Sequence, residues 1–189
     1  MAGLDAREQI SKELDPAERL IWSGIPRQGI IFRSSDAFFI PFSLMWGGFA
    51  VFWEASALAE GAPLFFAAWG IPFVVIGLYM IMGRFFVDKK LRSQTAYGVT
   101  DERVLIISGI FSRSVKSLQL RTLSDVSVDE RRDGSGTITF GPTHPMARWS
   151  GGMAWPGMGS FQSPAFELVP GVKDLYRKIR DAQEGRSWP

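Results

Sequence analysis

Two long apolar blocks separated by three residues constrain this chain more than anything else in it. Residues 37–59 read AFFIPFSLMWGGFAVFWEASALA with one charged residue, Glu54, and residues 63–83 read PLFFAAWGIPFVVIGLYMIMG with no charge at all. About 20 apolar residues in an α-helix cross the ~30 Å hydrocarbon core of a bilayer, so each block is long enough to span it. Only Glu60, Gly61 and Ala62 lie between them, which is room for a tight turn and no more. The two helices are therefore expected to run antiparallel as neighbours, with both flanks on one side. Arg27 and Arg33 precede the first block and Arg84, Lys89, Lys90 and Arg92 follow the second, while the turn holds no Lys or Arg. By the positive-inside rule both termini are expected in the cytoplasm.

The mean hydropathy of +0.06 conceals these blocks because charged flanks dilute them. Lys and Arg number 21 against 19 Asp and Glu, a net charge of +2, and no basic run interleaved with aromatics forms a nucleic-acid stripe, so no nucleic-acid partner is expected. The absence of cysteine excludes disulfides, thiol nucleophiles and zinc-thiolate sites. The first twenty residues alternate Asp5, Arg7, Glu8, Lys12, Glu13 and Asp15 without the apolar core of a signal peptide, so this end is expected to stay on.

After the second block the pattern changes to short alternating runs bounded by turn residues, which is a β signature. Strands are predicted near residues 95–100, 104–108, 112–120, 126–131, 137–140 and 166–169. Asp133-Gly134 is the strongest hairpin signal, and Thr100-Asp101-Glu102 marks another tight turn. From about Pro170, Val172, Leu175, Tyr176 and Ile179 recur at helical spacing, predicting an amphipathic closing helix. Upstream, Asp15-Pro16-Ala17-Glu18 is predicted to open one helical turn, followed by a strand through Leu20, Ile21 and Trp22 to Gly24. The resulting map has an N-terminal cytoplasmic segment with a short strand at 1–36, a two-helix transmembrane hairpin at 37–86, and a β domain with a C-terminal helix at 88–189, interrupted by a long Gly/Trp/Met loop at 141–165.

The run from Thr95 through Tyr97-Gly98-Val99-Thr100-Asp101-Glu102-Arg103 to Gly109 resembles the opening hairpin of membrane-anchored bacterial PH-like (pleckstrin-homology-like) domain proteins. Those proteins typically carry an acidic residue, a Trp-x-Gly-x-Pro element and a hydrophobic hairpin, which here look like Glu18, Trp22-Ser23-Gly24-Ile25-Pro26 and the two apolar blocks. The resemblance covers most of the chain and implies a strongly bent antiparallel sheet, or partly open barrel, closed by a C-terminal helix. It also implies a multi-pass protein of the bacterial inner membrane. The loop at 141–165 departs from the pattern and leaves the register beyond Phe140 open.

No Ser-His-Asp, HExxH, P-loop or GxGxxG arrangement occurs, so neither catalysis nor a cofactor is expected. The sole histidine, His144, lies near Met146, Met153 and Met158, but the irregular spacing argues against a metal site. Inositide recognition needs converging cations, and Arg113 and Lys116 differ in strand parity. Arg84, Lys89, Lys90 and Arg92 form a juxtamembrane group suited to anionic lipid. Glu54, alone inside a span, is open to three readings: snorkelling to the interface, a hydrogen bond to the partner helix, or an ion pathway. Ser43 with Gly47, and Gly48, Gly70 and Gly77, offer close-approach points between helices. Trp149, Trp155, Met153, Met158 and Phe161 lie on a Gly/Pro-rich segment, either folded over the small domain or used as contacts for headgroups or a protein. The expected role is a non-catalytic module acting by protein contact or self-assembly at the cytoplasmic face, its partners membrane lipids and an unidentified protein or itself. The alternative is a lipid-responsive or transport-related protein whose hairpin carries the activity.

Overall fold

The computed structural model describes residues 5–32, 36–110, 112–142 and 163–185. Of these, 5–29, 89–110, 112–142 and 163–185 belong to one compact unit, and 30–32 with 36–88 to a second.

Among the described residues the first unit has seven β-strands. Strands β1 (Leu20–Gly24), β2 (Ala96–Thr100), β3 (Arg103–Ser108) and β4 (Ser114–Gln119) form one sheet in the order β1-β2-β3-β4, with every pair antiparallel. Strands β5 (Val126–Glu130), β6 (Ser135–Phe140) and β7 (Ala165–Pro170) form a second, also antiparallel. The first strand precedes the apolar blocks and the second follows them, so the helical hairpin is an insertion between β1 and β2. This corrects the expectation of a β domain confined to 88–189 with residues 1–36 set apart. Leu20 pairs with Thr100 and Gly24 with Tyr97, so the upstream segment supplies an integral strand. The run from Thr95 to Gly109 forms the hairpin β2–β3, the first pair in the sheet joined by a tight turn.

Both faces of the central hairpin are covered, which explains why Val104-Leu105-Ile106-Ile107 is continuously apolar. Tyr97, Val99, Val104 and Ile106 face the main core with Ile138, Phe140, Phe166 and Val169. Ala96, Leu105 and Ile107 face the other way, onto Ala6 and Ile10 of helix α1 (Ala6–Ser11). Sequence reasoning missed α1, although Ala6, Ile10 and Leu14 recur at a four-residue spacing beneath the alternating charges. Gly98 makes the contact fit, since a Cβ there would come within 2.6 Å of Ile10. The predicted helical turn at Asp15 is a reverse turn, closed by Glu18 N–H donating to the Asp15 carbonyl at 2.9 Å.

The Asp133-Gly134 hairpin forms as expected. Arg131 N–H donates to Ser135 O and Gly134 N–H to Arg131 O, and Gly134 takes a φ of +74°, giving a three-residue loop whose last position favours glycine. In β7 a bulge sets Glu167 and Leu168 against Thr137, between the pairs Gly136–Val169 and Ile138–Phe166. Leu168 absorbs it with a φ of 53°. As a result Phe166 and Val169, of opposite parity in a regular strand, both reach the core. Helix α5 (Val172–Gln183) closes the structure through Val172, Leu175 and Ile179. Gln183 pins its last turn by donating to Leu120 O and Leu123 O at 3.1 and 3.2 Å.

The second unit is built on a pair of antiparallel helices, the second of which runs on past Asp88 into the first unit. Helix α2 (Asp36–Ala59) is followed, after the turn at Glu60–Gly61, by α3 (Leu64–Leu78), a π-helical turn (Tyr79–Gly83) and α4 (Arg84–Ser93). Two helical stretches, Asp36–Ala59 and Leu64–Ser93, are long and apolar enough to cross a membrane by length and composition. Ser43, Gly47 and Ala50 form the buried stripe of α2. Gly47 meets Gly77 backbone to backbone, and a Cβ on Gly77 would lie 2.8 Å from Gly47 Cα. Gly48 faces open space and is no part of this contact, which corrects its inclusion among the close-approach points.

Candidate functional site at the chain crossings

The chain leaves the β unit after β1 and returns to it before β2, and two arginines of that unit, Arg103 and Arg92, organise the segments around β1.

Arg103, at the start of β3, clasps Glu18, just ahead of β1. Its Nε donates to Oε1 at 2.9 Å and its Nη2 to Oε2 at 2.7 Å, and Nη2 also reaches Glu13 O and Asp15 Oδ2. The Thr100 hydroxyl has one proton and two acceptors in range, Glu18 Oε1 at 2.7 Å and Arg103 O at 2.9 Å. The shorter contact to the charged oxygen is the stronger. The Glu18 side chain is 1 % exposed. Hydrogen bonds from Arg103, with those from Thr100 and the Asp15 amide, outweigh burial and hold its carboxyl down to about 2. The same carboxylate pushes the Arg103 guanidinium up. This joins the acidic residue singled out upstream to the Thr100-Asp101-Glu102-Arg103 turn.

The Trp22-Ser23-Gly24 element is also explained. The Trp22 ring lies along β1 over Gly24, where a Cβ would sit 2.5 Å from it, and approaches Phe166 with centroids 5.9 Å apart. Two residues beyond Gly24, Pro26 is buried and Arg27 N–H donates to Leu168 O at 3.0 Å, binding the end of β1 to the bulge of β7.

At the crossings Arg92 is 4 % exposed. Its guanidinium donates to the Arg27 carbonyl and, at 2.7 Å, to Gly29 O. Gln28 returns the link through Nε2, to Arg92 O at 3.2 Å and Pro26 O at 2.7 Å. The outgoing and incoming strands of chain are thus stitched together. Arg27 is ion-paired with Asp133, whose carboxyl also accepts from Ser135 and is lowered in pKa chiefly by that bond.

The juxtamembrane cations are therefore not equivalent. Arg92 is consumed by backbone carbonyls, and Arg84 forms an ion pair of 3.0 Å with Asp36 under Phe85 and Phe39. Lys89 and Lys90 are exposed. Of the four cations expected to meet anionic lipid, Arg84 and Arg92 are thus engaged by protein partners, and Lys89 and Lys90 are the exposed pair. Arg113 is engaged by Glu13 at 2.8 Å. Glu54 sits in the notch left by Gly70, where a Cβ would be 1.6 Å from its Oε2. That oxygen is buried with no hydrogen-bond partner among the described residues, while Glu54 as a whole is half-buried. Trp149, Trp155, Met153, Met158, Phe161 and His144 lie outside the described residues. Among the described residues no group of three His, Cys, Asp or Glu is arranged to hold a metal.

A family model described as Bacterial PH domain matches residues 44–182, well over half of the chain. The chain belongs to the bacterial PH domain family. No curated protein and no solved structure matches it. PH domains are generally non-catalytic modules that mediate interactions, and two sheets with a closing helix agree with that fold. In this PH domain β1 and Glu18 lie upstream of the matched residues, which begin inside α2.

Proposed function

We propose that this PH domain is a non-catalytic module tethered in the bacterial inner membrane by α2 and α3, with both termini cytoplasmic, and that it acts by protein contact or self-assembly at the cytoplasmic face. The observation that carries this reading is the apolar exterior of the helix pair. Phe49, Phe52, Leu64 and Phe65 are 65–85 % exposed, and in water so large a patch would drive association. In a bilayer it faces lipid, and the Gly47–Gly77 contact supplies the close backbone packing that holds helices together there. The interaction surface proposed for the module is the segment carrying Trp149 and Trp155, with Met153, Met158 and Phe161, because indole and thioether side chains are favoured contact residues.

The test is in-membrane crosslinking of the full chain followed by mass spectrometry, comparing it with a W149A/W155A variant. Interface anchors of this kind often carry about 2 kcal/mol or more each, so the variant should insert normally and lose its dominant crosslinked partner or oligomer. A variant that melts or aggregates would assign the indoles to packing. One that is stable and still captures every partner would move the interface elsewhere.

A second reading is favoured by Glu54, one of whose carboxyl oxygens is buried without a partner in the Gly70 notch, an expensive feature for a plain anchor. In that reading the hairpin carries a lipid-responsive or transport activity. Replacing α2 and α3 with an unrelated hairpin separates the two, since a tether tolerates the exchange.

A further inference from the structure

The turn between β5 and β6 projects Arg131 and Arg132, both exposed and neither side chain with a hydrogen bond or ion pair among the described residues. Its place in the fold is unusual for two free cations. Asp133, the next residue, is ion-paired with Arg27, whose carbonyl is held by Arg92, two residues beyond Lys90. Arg131 and Arg132 therefore belong to the same end of the β unit as the outgoing chain at Gly29 and the incoming chain at Lys89 and Lys90. The acidic side chains closest in sequence are already engaged: Asp133 by Arg27, and Glu130 by Lys173 at 2.7 Å.

We propose that the β5–β6 turn rests on the anionic headgroups of the bilayer the chain itself crosses, Arg131 and Arg132 forming with Lys89 and Lys90 a cationic rim around the two crossings. Chain length brings the surface within reach. Only six residues lie between Gly29 and Asp36, and each extends at most about 3.6 Å. Charge selects the headgroups, since cations held near an anionic leaflet are attracted within a Debye length of it. The rim fixes which end of the domain lies down and leaves the opposite end, with the β2–β3 turn, open to the cytoplasm.

This inference rests on the two-span reading, and the experiment separates them. With no native cysteine, Ser127→Cys, on exposed β5, takes a single fluorophore in the full-length chain. The chain is placed in nanodiscs whose headgroups carry an acceptor dye, made with neutral phosphatidylcholine alone or with added phosphatidylglycerol. Energy transfer should rise with phosphatidylglycerol. It should fall back to the neutral-lipid level in high salt and in R131E/R132E, while R131K/R132K keeps it. Equal transfer in both lipids, or an R131E/R132E variant that behaves like the parent, overturns the rim. So does a response to inorganic phosphate in neutral discs with none to phosphatidylglycerol, which would mark a free-anion site. Failure of the chain to remain in vesicles after carbonate extraction defeats the two-span reading instead.

Discussion

Glu18 and Arg103 stand 85 residues apart in the chain and share two hydrogen bonds of 2.9 and 2.7 Å. The whole helical hairpin lies between them. The clasp therefore joins the first strand to its sheet across an insertion that would otherwise leave β1 held mainly by its ladder to β2.

The clasp makes the fold sensitive to acid. The folded carboxyl at about 2 lies below its ordinary value of 4.5, so its stabilisation is fully present above about 4.5 and is lost as pH falls toward about 2. The contribution is on the order of 3 kcal/mol. Thermal unfolding of the full chain in detergent at pH 7 and pH 3 should show the loss, and Glu18→Gln should flatten the difference while lowering stability at pH 7 by about 3 kcal/mol. An unchanged pH profile in the variant would remove Glu18 from the account.

Helix α1 should behave as a plug on the outer face of the sheet. Ile10→Ala removes a fully buried side chain facing Leu105 and Ile107, with an expected loss of about 2–5 kcal/mol. Gly98→Val should cost the fold in a related way by driving a side chain into the space Ile10 occupies. Denaturant titration followed by far-ultraviolet circular dichroism reads both.

In the hairpin, Gly77→Leu places a side chain where Gly47 Cα lies, and the overpacking is expected to weaken helix association by about 1–3 kcal/mol. Gly48→Leu, facing open space, is the control. Disulfide crosslinking between single cysteines on α2 and α3 should fall in the first variant and hold in the second.

Arg92→Ala leaves the carbonyls of Arg27 and Gly29 without their buried donor. Limited proteolysis should then cut near residues 27–32 faster than in the parent. Arg92→Lys, a point donor with no planar fork, should restore only part of the protection.

A reporter fused at Gly61 should read as external and reporters at both termini as internal, because the cations flank the hairpin and the turn has none. A cytoplasmic signal at Gly61 would reverse the topology.

Much of the architecture was legible because it follows from local rules. The two apolar blocks, the alternation in β5 and β6, the turn at Asp133-Gly134 and the spacing of Val172, Leu175 and Ile179 each reflect a short-range period or a backbone preference, and these fix element type and order. What they cannot fix is which distant segments pair. That β1 belongs to the sheet, that α1 covers its outer face, that Arg92 and Arg84 are engaged by protein partners while Lys89 and Lys90 are exposed, and that Glu54 occupies the Gly70 notch were decided only in three dimensions. The reason is physical: a charge is made structural or free by the partners that burial brings to it. For Glu18 and Arg103 those partners lie across an entire inserted hairpin, beyond the reach of any sequence window.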